Sequence, residues 1–123
     1  MEKYKSRDFV RWADDEGITD DVLQKILWEM SKGLLGDRLG ADVYKKRIAL
    51  PGRGKCGGAR TIVIFRSNEL VIFLYGYSKN EKSNLTPKEL LAVRVLSKSL
   101  TGLPVEQRKQ KVVEGTLVQI EEH

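Results

Sequence analysis

Lys45 and Arg47 stand two residues apart in the run Val43–Leu50, so in an extended chain both side chains leave the same face. Lys46 leaves the opposite face with Ile48. Arg60 opens the next extended run, and a hairpin return brings it back beside the strand that carries Lys45 and Arg47. Tyr75 and Tyr77 end a third run on a common face, followed at once by Lys79. Cations and phenols can converge in this way on one patch. Such a patch neutralises phosphate, and its arginines can grip two phosphate oxygens at a time. A solvated basic face, with the tyrosines in the core or at its rim, draws on the same residues.

The charge distribution points the same way. Residues 43–82 hold nine Lys or Arg and two Glu, a net charge of +7, whereas the whole chain carries +5. The positive charge therefore sits on the part that reads as sheet, and the helical flanks are nearly balanced. A basic sheet face calls for a polyanionic partner, RNA or DNA first. A length of 123 residues with 41% apolar content fits one domain with a core of its own. The lone cysteine, Cys56, can form no internal disulfide and suits a reducing cytoplasm. No His, Cys and Asp group has metal-ligand spacing, and no cofactor is indicated. No apolar run approaches the ~18 residues of a membrane span. The charged start MEKYKSRDF lacks the apolar stretch of a signal peptide. The expectation is a cytoplasmic protein with no membrane partner.

Several other chemistries are excluded. Residues 52–57 match the string G-x-G-x-x-G, but a dinucleotide site needs a helix after it, and here a strand follows. No Gly-Lys-Ser or Gly-Lys-Thr occurs, so there is no phosphate-binding loop of that type. The glycine-rich segment 51–58 reads instead as a hairpin loop whose Arg53 and Lys55 sample phosphates. The single histidine is the last residue, His123, which removes Ser-His-Asp and Cys-His triads.

The elements that must position the cations follow from periodicity. Phe9, Trp12 and Ala13 share a helix face, with Ser6 as N-cap and Gly17 as stop. Thr19 caps a second helix striped by Val22, Leu23, Ile26, Leu27 and Met30, ending at Gly33 or Gly36. A short link makes the two an antiparallel hairpin. Val43–Leu50, 60–66 and 70–77 are predicted to form an antiparallel meander. Residues 86–100 form the clearest helix, opened by the capping box Thr86-Pro87-Lys88-Glu89 and closed by Gly102. Residues 105–114 are a weaker helix candidate and 116–120 a short strand. The acidic tail 114–122 either stays solvated or folds over the basic patch.

In combination, KKRIA (45–49), PGRGKCGGARTIVIFR (51–66), FLYGYSKNEKSNLTPKEL (73–90) and the helical hairpin before them resemble the RelE/HigB-type toxins of bacterial type II toxin–antitoxin systems. The resemblance is nearest to the phage-associated HigB-like branch and runs from about Arg7 to Leu100. It implies a RelE-like α+β fold, a helical hairpin on a twisted antiparallel sheet with a C-terminal helix. It also implies a ribosome-dependent mRNA endoribonuclease working in the ribosomal A site without metal, and a helix-turn-helix antitoxin as partner. The family's paired strand cations fall on Lys45 and Arg47, its strand-opening arginine on Arg60, and its basic position after the last strand on Lys79 rather than Asn80. Tyr77 joins this catalytic set; Lys46, Arg53, Lys55, Arg66, Tyr75, Asn80 and Lys82 are the expected RNA contacts. The chain departs from relatives that carry a catalytic tyrosine or histidine near the C-terminal end, because no tyrosine follows Tyr77. Two other readings use the same fold or charge: a ParE-type gyrase inhibitor, and a non-toxic basic nucleic-acid-binding module.

Overall fold

The computed structural model describes residues 1–50 and 54–121, and of residues 54–57 the backbone alone. Arg53 and His123 therefore lie outside the described residues, as do the side chains of Lys55 and Cys56. The chain runs β1 (Glu2–Ser6), α1 (Arg7–Glu16), α2 (Asp20–Ser31), β2 (Asp37–Gly40), β3 (Val43–Leu50), β4 (Gly54–Arg66), β5 (Leu70–Ser78), α3 (Pro87–Thr101), α4 (Val105–Val113) and β6 (Leu117–Gln119). The strands form one sheet in the order β2-β3-β4-β5-β1-β6. The meander of β3, β4 and β5 is antiparallel, as its short connections require. One pair is parallel, β1 with β5.

Alternation along the strands sorts the core into two layers. Tyr44, Ile48, Val63, Phe65, Val71 and Phe73 pack with the hairpin of α1 and α2 through Phe9, Leu23, Ile26, Leu27 and Met30. Val43, Ile62, Ile64, Ile72 and Leu74 pack on the other side with Val93 and Leu100 of α3. The expected caps form at two helices. The Ser6 hydroxyl accepts from the Phe9 N–H at 3.0 Å, and Thr86 and Glu89 close a reciprocal box at the start of α3. Thr19 holds the N-cap position of α2, but its side chain makes no capping hydrogen bond.

Two strands lack a signal strong enough to read in sequence. β1 is only five residues long and charged. Its Tyr4 turns into the α3-side core, while Lys5 reaches Asp20 at 2.6 Å. β2 has no apolar alternation, and Ala41 and Asp42, both at positive φ, turn it back against β3. The glycine-rich segment also differs from expectation, because β4 already begins at Gly54. As far as Glu121, the acidic tail keeps away from the basic strands. β6 pairs with β1 near the far edge of the sheet, and the Glu121 N–H donates to Asp20 on α2.

One irregularity decides which way the tyrosines face. Ile62 pairs with Tyr75 and Val63 with Phe73, so Leu74 is an extra residue in β5. The bulge shifts the alternation by one. Val71 and Phe73 face α1, but Tyr77, two steps further along the same parity, joins the α3 side. Gly76 then faces α1, and a Cβ there would overlap the Trp12 ring. The absent side chain lets α1 lie flat on β5.

At the other end of the fold, buried Arg108 of α4 donates through Nε and Nη2 to the two carboxylate oxygens of Glu2, at 3.0 and 2.8 Å, and through Nη1 to the Leu100 and Leu103 carbonyls. The Arg108 hydrogen bonds hold the Glu2 carboxyl below its ordinary value, and burial pushes the Tyr4 hydroxyl up to about 12.

Two predictions follow from this packing. Gly76→Ala is expected to cost about 3 kcal/mol of unfolding free energy by overpacking Trp12; a urea midpoint equal to wild type would contradict the contact. A depressed Glu2 value means that its stabilisation is present above the unfolded carboxylate range near 4.5 and is lost as pH falls through the lower folded value. Glu2→Ala should therefore cost on the order of 3 kcal/mol at neutral pH, because it strands the buried Arg108 charge. The variant should also lose less stability than wild type on acidification; parallel acid-denaturation curves would show that the pair is not coupled.

Candidate nucleic-acid interface

Val93 and Leu100 of α3 seal the sheet over Ile62, Ile64 and Ile72, but one row of the same face is charged. In that row Arg47 pairs with Arg60, and Arg60 pairs with Tyr77, so it reads Arg-Arg-Tyr across three strands. Lys45 lies one row along, opposite Ile62 on one side and Asp37 of β2 on the other. Lys45, Arg47 and Arg60 together line a cleft of about 410 Å³, with Gly36, Asp37, Lys46, Ser83 and Asn84 on its remaining walls. A second cleft of about 340 Å³ shares Arg47 and Arg60 and adds Lys79. Arg47 and Arg60 thus border both clefts of one basic surface.

The partners of these cations differ. The Lys45 ammonium donates to Asn84 Oδ1 at 2.7 Å and lies 3.4 Å from the Asp37 carboxylate. That carboxylate is 72% exposed, so the pair is weakly held. Among the described residues neither Arg47 nor Arg60 has a carboxylate partner. Arg60 makes one long hydrogen bond, 3.4 Å to the Ala59 carbonyl. Directly opposed like charges on neighbouring strands repel, and an anion between them removes the repulsion. Lys79 is exposed at the end of β5, where its N–H donates to the Gly58 carbonyl, and Asn80 is exposed beside it.

Other expected contacts lie elsewhere. Lys46 points to the opposite face and pairs with Glu29 of α2 at 3.2 Å. Arg66 lies at the far end of β4, bound to Asp42 at 2.8 Å. Lys82 turns toward α3, pairing with Glu89 at 2.5 Å and lying 5.5 Å above the Tyr77 ring. Arg53 and the side chain of Lys55 fall outside the described residues. Tyr77 stands next to Arg60 by register, but it is buried and is not a surface phenol. Burial pushes its hydroxyl upward, with Arg60 and Lys82 opposing. It therefore stays protonated near neutral pH and can donate a hydrogen bond but not serve as a phenolate base. Tyr75 is 38% exposed.

Sequence reasoning missed Asp37 and Asn84. Asp37 reaches the cleft because β2 exists, and Asn84 because the turn into α3 folds back over β3. Neither has a local pattern that marks it. Asn84 lies two residues before the capping box that opens at Thr86, a signal for a helix and not for a ligand site.

The family model of the RelE toxin of the RelE/RelB toxin–antitoxin system matches residues 1–120. The chain therefore belongs to the RelE toxin family, the toxin component of a toxin–antitoxin system, and an antitoxin is the partner that membership implies. The match extends beyond residues 7–100 to include β1 and β6. No curated protein sequence matches the chain. Among the described residues no helix is long and apolar enough to cross a membrane, and no His, Cys, Asp and Glu group could hold a metal ion.

The opposition of Arg47 and Arg60 has a measurable cost. Arg47→Thr, which keeps strand propensity, should raise the unfolding free energy by about 0.3 kcal/mol at low ionic strength, and the gain should shrink as salt screens the pair. Urea melts at two salt concentrations measure this, and a variant less stable than wild type at low salt would show that no strain is stored there.

Proposed function

We propose that this toxin is an mRNA endoribonuclease that acts in the ribosomal A site, in the cytoplasm, and stops translation. The observation that carries the reading is the register pair Arg47 and Arg60, two guanidinium groups without carboxylate partners among the described residues, flanked by Lys45 and Lys79. A scissile phosphate seated between the arginines would gain two charge-assisted contacts that strengthen as negative charge builds on the pentacoordinate phosphorus. The RNA 2′-hydroxyl attacks the adjacent phosphorus, a 2′,3′-cyclic phosphate forms, and the 5′-oxygen leaves. Lys45 carries protons to donate to that oxygen. Asp37 is the carboxylate in the same cleft, placed to accept the 2′-hydroxyl proton. Both are partly solvated, so much of the rate must come from positioning, which a codon held by the ribosome supplies.

Lys79 and Asn80 extend the basic surface along the RNA backbone, and Tyr75 offers a ring for stacking. The side chains of Lys46 and Arg66 are engaged by Glu29 and Asp42; Lys46 borders the phosphate cleft, while its ammonium is held on the opposite face. A helix-turn-helix antitoxin that lays acidic side chains over Arg47 and Arg60 would neutralise the toxin by occupying the phosphate hollows. Placement in the phage-associated HigB-like branch rests on the sequence resemblance alone.

Arg60→Ala is the decisive variant. It should retain the wild-type melting curve within about 0.5 kcal/mol and lose roughly 10²-fold or more of ribosome-dependent cleavage. Mapping transcript ends in a translating extract reads the second quantity. Undiminished cleavage by Arg60→Ala would remove the site. Intact transcripts with a loss of DNA supercoiling would replace the ribonuclease with a gyrase inhibitor.

A further inference from the structure

Beside the basic clefts lies a separate pocket of about 480 Å³ between β5 and the start of α3. This volume is within the range of small-molecule sites. Tyr75 and Tyr77 form its sheet wall, Ala92 belongs to its helix wall, and Glu81, Lys82 and Glu89 supply charge. Tyr77 is 4% exposed, and its buried hydroxyl has no hydrogen-bond partner among the described residues. A buried donor left unmade costs free energy, so this hydroxyl calls for a partner that the described residues do not supply. The Lys82–Glu89 pair lies over this hydroxyl, with the ammonium above the ring. Both side chains are about one-third or more exposed, so parting them costs little.

We propose that this pocket takes one base of the bound RNA, and that the base is guanine. The inference rests on the ribonuclease reading for the source of the base, but its chemistry stands on the pocket. Glu89 already accepts from the Thr86 N–H and from Lys82, and Glu81 from the Ser78 hydroxyl, but each carboxylate oxygen has a second lone pair for a further donor. The Lys82 contact holds the Glu89 carboxyl below its ordinary value. Guanine is the base that presents two adjacent N–H donors, N1 and N2, which suit one carboxylate, with O6 beside them as an acceptor for Lys82 or the Tyr77 hydroxyl. Adenine and cytosine each offer one amino group flanked by a ring acceptor, which faces a carboxylate with repulsion; uracil offers one N–H between two acceptors. The half-exposed Tyr75 ring provides a face for stacking. Tyr77 is the register partner of Arg60, so pocket and phosphate cleft lie one strand apart, about 4.8 Å. A nucleotide held by its phosphate at Arg60 can place its own or a neighbouring base there.

The test titrates the intact toxin with guanosine, adenosine, cytidine and uridine 5′-monophosphates, following backbone amide shifts by NMR. Guanosine monophosphate should bind at least about tenfold more tightly than the other three. Tyr77→Phe should reduce that preference, and Ala92→Phe, which fills the pocket, should abolish it. Arg60→Ala should weaken all four nucleotides alike and leave the preference standing. Equal affinity for the four, or a guanine preference that survives Ala92→Phe, overturns the proposal. If Ala92→Phe fails to fold, the ranking on the wild-type chain and the Tyr77→Phe change still decide it. A guanine preference without mRNA cleavage would keep the pocket and remove the ribonuclease; Arg60-dependent cleavage without the preference would do the reverse. Indifference to all four nucleotides combined with protection of the pocket by the antitoxin would assign it to the protein partner and overturn the base-binding proposal.

Discussion

Arg47 and Arg60 are pressed together by a register that neither of them favours. On their own face Val43 pairs with Ile64 and Lys45 with Ile62; on the other, Tyr44 pairs with Val63 and Ile48 with Ala59. Both faces have a helical layer to fill. A slip of one residue would turn the charged side chains of β3 into the α1–α2 core and expose its apolar ones, at a cost far above the repulsion between two half-solvated cations. The core thus holds the guanidinium pair in place. The cationic character of the row is a by-product of apolar packing on either side of it.

The same packing sets the limits of the site. Apolar residues of α3 meet apolar residues of the sheet, and where the sheet turns basic the segment after β5 crosses over, with Asn84 accepting from Lys45. That segment separates two hollows of different chemistry. One is lined by fixed cations and suits phosphate. The other combines aromatic, carboxylate and ammonium groups around a buried hydroxyl and suits the edge of a base. A fold supports many functions through such local assignments. In the proposed reaction, the lack of an interior histidine leaves proton transfer to lysine and carboxylate groups, and makes substrate positioning correspondingly important.

Much of the molecule could be read from its residues. The meander, the α1–α2 hairpin, the capping box of α3 and the concentration of positive charge all have local causes: side-chain parity, cap chemistry and composition. Lys45 and Arg47 could be placed on one face from their spacing, and Arg60 beside them from the hairpin return. β1 and β2 could not, because five residues of which three are charged and four with little apolar character have no periodicity of their own; pairing to β5 and β3 creates them. Lys46 was assigned the correct face, but its pairing with Glu29 depends on where α2 settles. Arg66 counted toward the charge of the segment, yet Asp42 at the opposite end of the strand claims it.

Residue order alone determined which side chains share a strand face, because a pleated chain alternates whatever surrounds it. It also determined that the sheet would be basic and that α3 would begin at its capping box. Only the tertiary structure decided that Tyr77 lies under α3 rather than α1, since one extra residue in β5 reverses the alternation and parity cannot register a bulge. It likewise brought Asp37 and Asn84 to Lys45. Those contacts join segments far apart in the chain, and only the burial of two apolar layers brings them within hydrogen-bonding reach.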